Sequence, residues 1–341
     1  MTCGVPGLRG QEEPGGERPA KEWSFHDRSS WTTAAGSPAG SGWVFEGDEI
    51  RLEEPGGGSG GNIFSQTLPP NFELSWDWKI ESKVNGGLKY RVRRFDEPDF
   101  GGQYLGLEYQ IIDDGRNLGS IGSTASIYDL VPPAADTPLK AVGEWNTARV
   151  VAVGERIEHY LNGRLVAQAD LSTTDWERRI ALSKFYGAEG FGLPRPGDRV
   201  MLTDHGGRAS YKNIRLTPVL EPDKPADANA DSSGPFLTDG MTFARLGRES
   251  AVVTVRTTQL GDEQGAPGLA GKVRATYWPG WQRHKARETP WSTTAAGGEF
   301  TASWELKDLQ ADTTYHVVVE ASQLDADETT DVVRDSFCTA P

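Results

Sequence analysis

The chain is poor in the residues that build disulfide frameworks and metal centres. Its 341 residues include two cysteines, Cys3 and Cys338, at opposite ends, with five histidines and three methionines. Two cysteines so placed supply neither a disulfide ladder nor a CxxC metal site. Cations are in deficit too: 35 Lys and Arg against 49 Asp and Glu leave a net charge of −14. A nucleic acid or an anionic membrane surface needs a clustered basic face, so no nucleic acid is expected as a partner. Apolar runs are short, and none reaches the roughly 18 residues of a membrane span. The opening residues 1–22 lack the apolar stretch of a secretory signal.

What is abundant is punctuation. The 41 glycines and 21 prolines divide the chain into short alternating runs, the pattern of strands and tight turns rather than of long helices. The expected fold is all-β, in two domains given the length. Residues 1–22, rich in Gly, Pro and Glu, read as a disordered arm. Residues 23–219 form the first domain. Its clearest strand is Phe72–Ile80, where Phe72, Leu74, Trp76, Trp78 and Ile80 alternate with polar residues. Residues 43–52 read as a hairpin around Gly47 and Asp48. Further strands are expected over 88–93, 105–112, 145–153, 156–161, 164–169, 200–203 and 209–216, with a helix over 174–182 capped by Asp175. The glycine-rich stretch 56–61 lacks the Lys-Ser/Thr of a phosphate loop and precedes no helix, so it reads as a flexible loop. Residues 220–235 hold Glu, Asp, Pro, Ala and Ser with few large apolar groups and read as a linker. Residues 236–341 carry new strands over 251–257, 272–277, 299–306, 315–321 and 332–338, spaced as in a small β-sandwich.

Several blocks of the first domain occur in a specific order: NGGLKYRV (85–92), GLEYQIIDD (106–114), GEWNT (143–147), IEHYLNG (157–163), SKF (183–185) and TDHG (203–206), closed by KNIRL (212–216). Together they resemble the 3-keto-disaccharide hydrolase family, also described as 3-keto-glucoside 1,2-lyases and 3-keto-2-hydroxy-glucal hydratases, over residues 23–219. The resemblance implies a concanavalin-like jelly-roll sandwich whose concave face binds an oligosaccharide or glycoside substrate, and an extracytoplasmic location. Two departures stand out: Asn85-Gly86-Gly87 where relatives have Asn-Ser-Gly, and Thr203-Asp204-His205 where they have Gln-Asp-His. The second domain, through GPF (234–236), RESAVVTVR (248–256), LQADTTY (309–315) and SFCTAP (336–341), is similar to the fibronectin-III-like N-terminal domain of PhoD-like alkaline phosphatases. The chain stops where such a protein's catalytic domain would begin. No Asp/His/Asn metal constellation of that domain is present, so a phosphatase activity is not expected. The partner implied for the parent gene is a missing C-terminal metallophosphatase domain.

The resemblance implies a glucoside already oxidised at carbon 3. The ketone acidifies the hydrogen on carbon 2, and a base that removes it forms an enediolate from which the aglycone on carbon 1 can leave. Water then adds to the glucal. This route needs a base, an acid for the leaving oxygen and an electrophile for the enolate oxygen. It does not need two carboxylates at glycosidase spacing.

Strand parity sorts the candidates. Glu108 and Gln110 share one face of their strand, opposite Leu107, Tyr109 and Ile111. That face is either a sugar cleft or a solvated surface. Lys89 shares a face with Arg91, opposite Tyr90 and Val92, and either stabilises an enolate or is a surface cation. His159 lies between Ile157 and Leu161, in the position of a core histidine or, as a member of a family block, of a base. His205, at a strand end after Asp204, suits projection into a cleft, and Lys184 is a further cation. The resemblance and these faces make Glu108, His159, Lys184 and His205 the catalytic set. Asn85, Lys89, Gln110, Tyr128 and Trp145 form the substrate-binding set. A bound divalent cation is the alternative electrophile, with no ligand set assigned. His26, His284 and His316 have no supporting context. The competing function is a non-catalytic carbohydrate-binding module, because one fold hosts both enzymes and lectins.

Overall fold

The computed structural model describes residues 22–56, 59–113, 115, 118–220, 234–260, 266–326 and 328–341. Nearly all of the expected arm over 1–22 and linker over 220–235 lies outside them. The first domain runs β1 (Trp23–Ser24), β2 (Trp43–Glu46), β3 (Glu49–Leu52), β4 (Ile63–Thr67), β5 (Phe72–Ile80), β6 (Asn85–Phe95), β7 (Gln103–Ile112), β8 (Asn146–Val153), β9 (Arg156–Leu161), β10 (Arg164–Asp170), α1 (Thr174–Leu182), β11 (Arg199–Leu202) and β12 (Ala209–Pro218). Two antiparallel sheets form. One is ordered β10-β9-β8-β5-β12-β3-β2, with β1 added on β12. The other is ordered β4-β11-β6-β7.

Alternation in the sequence becomes burial in the sandwich. Along β5, Phe72, Leu74, Trp76, Trp78 and Ile80 are all buried, and they face Leu88, Tyr90, Leu107, Tyr109 and Ile111 of the smaller sheet within one core. The β2–β3 hairpin turns at Gly47, whose φ of +61° is the left-handed conformation that glycine adopts without steric penalty. Helix α1 spans the expected residues, but its cap lies two positions before the one expected. Thr173, not Asp175, is the cap, its hydroxyl accepting from the Trp176 N–H at 3.3 Å, while Asp175 pairs with Arg179 one turn on.

The second domain runs β13 (Met241–Ala244), β14 (Ala251–Arg256), β15 (Gly271–Pro279), β16 (Arg287–Glu288), β17 (Ser292–Thr294), β18 (Thr301–Leu306), β19 (Thr314–Ser322) and β20 (Thr329–Cys338). Its sheets are ordered β13-β14-β18 and β16-β15-β19-β20, with β17 on β15, a fibronectin-III-like partition. The LQADTTY block forms a tyrosine corner: buried Tyr315 accepts from the Gln310 N–H at 2.9 Å.

The two domains share an interface. Ala181 and Leu182 of α1 pack against Trp278, Val318 and Val332. Glu320 bonds Arg178 of the helix and Arg274 of its own sheet. Arg334 donates to the carbonyls of Ala181 (2.7 Å) and Ser183 (3.1 Å), satisfying acceptors that the end of a helix leaves open. Among the described residues no helix is long and apolar enough to cross a membrane.

Candidate active site

The site lies on the face of the four-stranded sheet turned away from the core. Lys89 and Glu108 are directly paired across β6 and β7, as are Gly87 and Gln110. The Lys89 ammonium lies 3.5 Å from the Glu108 carboxylate, which is almost wholly buried. Gly87 makes room for that carboxylate, since a Cβ there would lie 2.4 Å from Glu108 Oε1. Alternation then breaks. Arg91, with φ +51°, forms a bulge between Tyr90 and Arg93. Arg91 therefore does not share the face of Lys89: its guanidinium is buried and donates to the carbonyls of Gly192 and Pro70. Val92 instead joins Phe64, Met201 and Tyr104 in an apolar patch on the outer face.

Two segments bring further groups to the Glu108–Lys89 pair. The chain after residue 120 runs alongside β7, and the Tyr128 N–H donates to the Glu108 carbonyl at 3.0 Å. Tyr128 is half-buried, and its hydroxyl is pushed above the ordinary phenol range by burial and by the charges of Asp129 and Glu108. The Lys184 ammonium sits 4.3 Å over the Tyr128 ring. Asp129, at φ +65°, accepts from the Lys184 backbone N–H at 3.1 Å and from Arg283 of the second domain at 3.1 Å. His205 follows the end of β11. Burial lowers its proton affinity, and the cationic Lys89 and Lys184 act in the same direction against Glu108 and Asp204, so the net shift is downward.

Asp204 fixes His205 in place. Its carboxylate accepts from the N–H groups of Gly56 (2.7 Å), Gly61 (2.6 Å) and Gly206 (3.0 Å). Burial pushes this carboxyl up, but the three amide bonds outweigh it and hold the group below its ordinary value. The described part of the glycine-rich stretch 56–61 is therefore wrapped on Asp204 rather than a free loop. A Cβ at Gly60 would fall 2.3 Å from the Asp204 Oδ2.

Lys89, Lys184 and His205 open into a cleft of about 1150 Å³, lined also by Phe64, Tyr104 and Met201 and by residues of the second domain, with Glu108 and Tyr128 behind them. Of the expected set, Glu108, Lys89, Lys184, His205 and Tyr128 come together. Asn85 and Gln110 share the outer face, but Gln110 is covered. Its amide nitrogen donates to Asn85 Oδ1 (3.3 Å) and the Gly122 carbonyl (3.4 Å).

Two expected residues are elsewhere. His159 is fully buried between the sheets; its Nδ1–H donates to the Ala125 carbonyl (3.1 Å), which leaves Nε2 to accept from the Tyr90 hydroxyl (2.8 Å). It is a satisfied core histidine, because the face it shares with Ile157 and Leu161 is the core face. Trp145 lies on the outer face of the larger sheet, under the ammonium groups of Lys79 (4.5 Å) and Lys212 (4.3 Å), and so does not line the cleft.

The buried imidazole has a consequence for stability. Desolvation depresses His159 from 6.5 to about 4. As pH falls the unfolded chain takes up this proton first, so the histidine's contribution is complete above about 6.5 and is lost between there and about 4. The wild type is expected to lose about 3 kcal/mol over that window relative to His159→Gln, read from denaturant melts of both proteins at pH 7 and pH 4. Parallel pH profiles of the two would contradict it.

A 3-keto-alpha-glucoside-1,2-lyase-like domain model matches residues 23–217. The chain belongs to this family. A Bacteroides thetaiotaomicron protein named 3-keto-disaccharide hydrolase is 27% identical over 209 residues, which cover 51% of this chain and 69% of that protein. A solved Parabacteroides distasonis ATCC 8503 protein, described as a candidate glycosyl hydrolase, is 24% identical with a TM-score of 0.47, covering 56% of this chain and 89% of its own. A structure of PhoD aligns at 17% identity and TM-score 0.24 over 35% of this chain and 21% of its own. So faint a likeness carries nothing for the second domain.

Among the described residues no three His, Cys, Asp or Glu side chains gather to hold a metal, and Glu108 already faces Lys89. Asp204 and Asp129, which hold His205 and Lys184, were not singled out by sequence, although the Asp-His pair at 204–205 was visible. Nor were the second-domain residues of the cleft, which carry no local motif.

Proposed function

We propose that the chain cleaves 3-keto-glycosides by eliminating the aglycone and hydrating the resulting glucal. The observation that carries this is the gathering of a base-competent imidazole, two ammonium groups and a phenol around one buried carboxylate: His205, Lys89, Lys184, Tyr128 and Glu108. Depressed proton affinity keeps His205 neutral near pH 7, the form that accepts a proton. In the proposed reaction His205 takes the hydrogen from carbon 2. The electron pair it leaves behind conjugates with the carbon 3 ketone, and the developing oxyanion is stabilised by Lys89 and Lys184. Glu108 holds Lys89 in position. The carbon 1–oxygen bond then breaks, a double bond forms between carbons 1 and 2, and the leaving oxygen takes a proton from Tyr128, whose raised affinity keeps it protonated. Water adds back with hydroxyl to carbon 1 and hydrogen to carbon 2, completing a net hydrolysis.

The test is dependence on the ketone. A 3-keto-disaccharide and its unoxidised parent are incubated separately with the protein, and released sugar is followed. Release from the ketone alone is expected. Equal release from the parent would show attack at carbon 1 without an acidified neighbour, and binding of both without release would favour a lectin-like module.

A further inference from the structure

The cleft does not end with the family-matched residues. Its remaining wall comes from the second domain, through Trp281, His316, Arg334, Asp335 and Ser336. Trp281 is 77% exposed, unusual for the largest apolar side chain. Its ring is nonetheless backed: the His316 imidazole lies 5.7 Å from it, and on the other side 5.8 Å from Trp278. Trp278 is buried in the interface with α1. A run of tilted ring contacts, Trp278–His316–Trp281, thus leads from the domain interface into the cleft and presents an indole there. Arg334 does not compete for a ligand, because it donates to the α1 carbonyls and lies 4.5 Å over Tyr186.

Carboxylates flank the indole. Asp99 of the first domain and Asp335 of the second line the same cleft, and Asp99 is close enough for its charge to act on both His316 and Arg334. A flat aromatic face beside acceptor-only carboxylates matches a pyranose ring, with C–H groups on its faces and hydroxyl donors around its edge. The volume of about 1150 Å³ exceeds the roughly 300–1000 Å³ of ordinary small-molecule pockets, leaving room for a second ring beside the one at Lys89 and His205.

We propose that the second domain supplies the leaving-group subsite: Trp281, backed by His316, stacks on the second sugar ring of a disaccharide, whose hydroxyls donate to Asp99 and Asp335. The location of the first ring rests on the function proposed above; the aromatic subsite itself does not depend on turnover. The specificity of the site is then set partly outside the family domain, by a residue whose nearest site lysine, Lys184, is 97 positions away in sequence.

The experiment compares wild type with Trp281→Ala by calorimetric titration of trehalose and of methyl glucoside, neither of which carries the ketone. The wild type is expected to bind the disaccharide more tightly. The ratio of disaccharide to monosaccharide affinity should fall about tenfold in Trp281→Ala, the scale of an interface hot spot, and recover in part in Trp281→Phe. The same ratio, taken as kcat/KM for 3-keto-trehalose over a 3-keto methyl glucoside, should fall equally. If the wild type turns over neither ketone but the affinity ratio still falls in Trp281→Ala, the subsite stands and the proposed reaction fails. An unchanged ratio in Trp281→Ala, or no wild-type preference for the disaccharide, would overturn the sugar subsite.

Discussion

Replacing His205 by alanine is expected to lower turnover of a 3-keto-glucoside by about 10²–10⁴-fold, the usual worth of a positioned acid or base. The effect should fall on kcat, because proton removal from carbon 2 belongs to the transition state. His205 reaches the cleft from the end of β11, and its backbone neighbour Asp204 is pinned by three glycine amides, so the imidazole is held without being buried away from substrate. Its lowered proton affinity also fixes the sign of a pH effect. The neutral base persists to lower pH than a free imidazole allows, so the acid limb of kcat/KM should lie below about 6.5 and vanish in His205→Ala. His159→Gln, altered in the core rather than the cleft, should keep that acid limb. Wild-type rates in His205→Ala, or an acid limb that survives the substitution, would transfer the role of base to Glu108.

A single methyl group at Gly87 should cost about 10²-fold in kcat/KM, the scale of a reacting group displaced by 1 Å. In Gly87→Ala the new Cβ would meet Glu108 at 2.4 Å (Oε1), 3.0 Å (Cγ) and 3.1 Å (Cδ). The Glu108 side chain has little free space, being almost wholly buried, so the carboxylate must leave its place beside Lys89 and the ammonium loses its partner. The backbone at Gly87 is not left-handed, and the strand should therefore form normally. The neighbouring position makes the control. At Gly86 a Cβ would find nothing nearer than 3.8 Å, so Gly86→Ser, which restores the Asn-Ser-Gly pattern of related sequences, should be tolerated. Steady-state kinetics with thermal melts of both variants checks this. Equal activities would show that the Glu108–Lys89 pair has no part in the reaction.

Parity made much of this legible. Phe72–Ile80, Arg156–Leu161 and Thr174–Leu182 run in the structure over the residues their periodicity marks, because each buries one face and exposes another. The same rule separates Glu108 and Gln110 from Leu107, Tyr109 and Ile111 within one strand, but the register that sets Glu108 opposite Lys89 on the neighbouring strand is not in the sequence. Parity fails where the backbone changes register: the bulge at Arg91 sends an arginine inward and a valine outward, and a positive φ at a non-glycine residue leaves no mark in a sequence. It is also silent about which face is core. His159 shares a face with Ile157 and Leu161, a pattern that fits a core histidine and a cleft histidine alike until the partner sheet is known. The short strands Ile63–Thr67 and Met241–Ala244 escaped because neither has enough alternation to stand out. Contacts between domains are the least visible. Asp129 and Arg283 are 154 residues apart, and nothing local in either segment announces the pair that ties the Lys184 backbone to the second domain.

The fate of the hydrogen on carbon 2 tests the account at its centre. Turnover of a 3-keto-glucoside in heavy water, with mass spectrometry of the released 3-keto-glucose against a control for spontaneous exchange, should place one solvent deuterium at carbon 2 in an enzyme-dependent manner. Elimination and rehydration require it, because the bond to that hydrogen is broken and remade. Product that retains the original hydrogen at carbon 2, released at the full enzymatic rate, would contradict the account and indicate direct displacement at carbon 1.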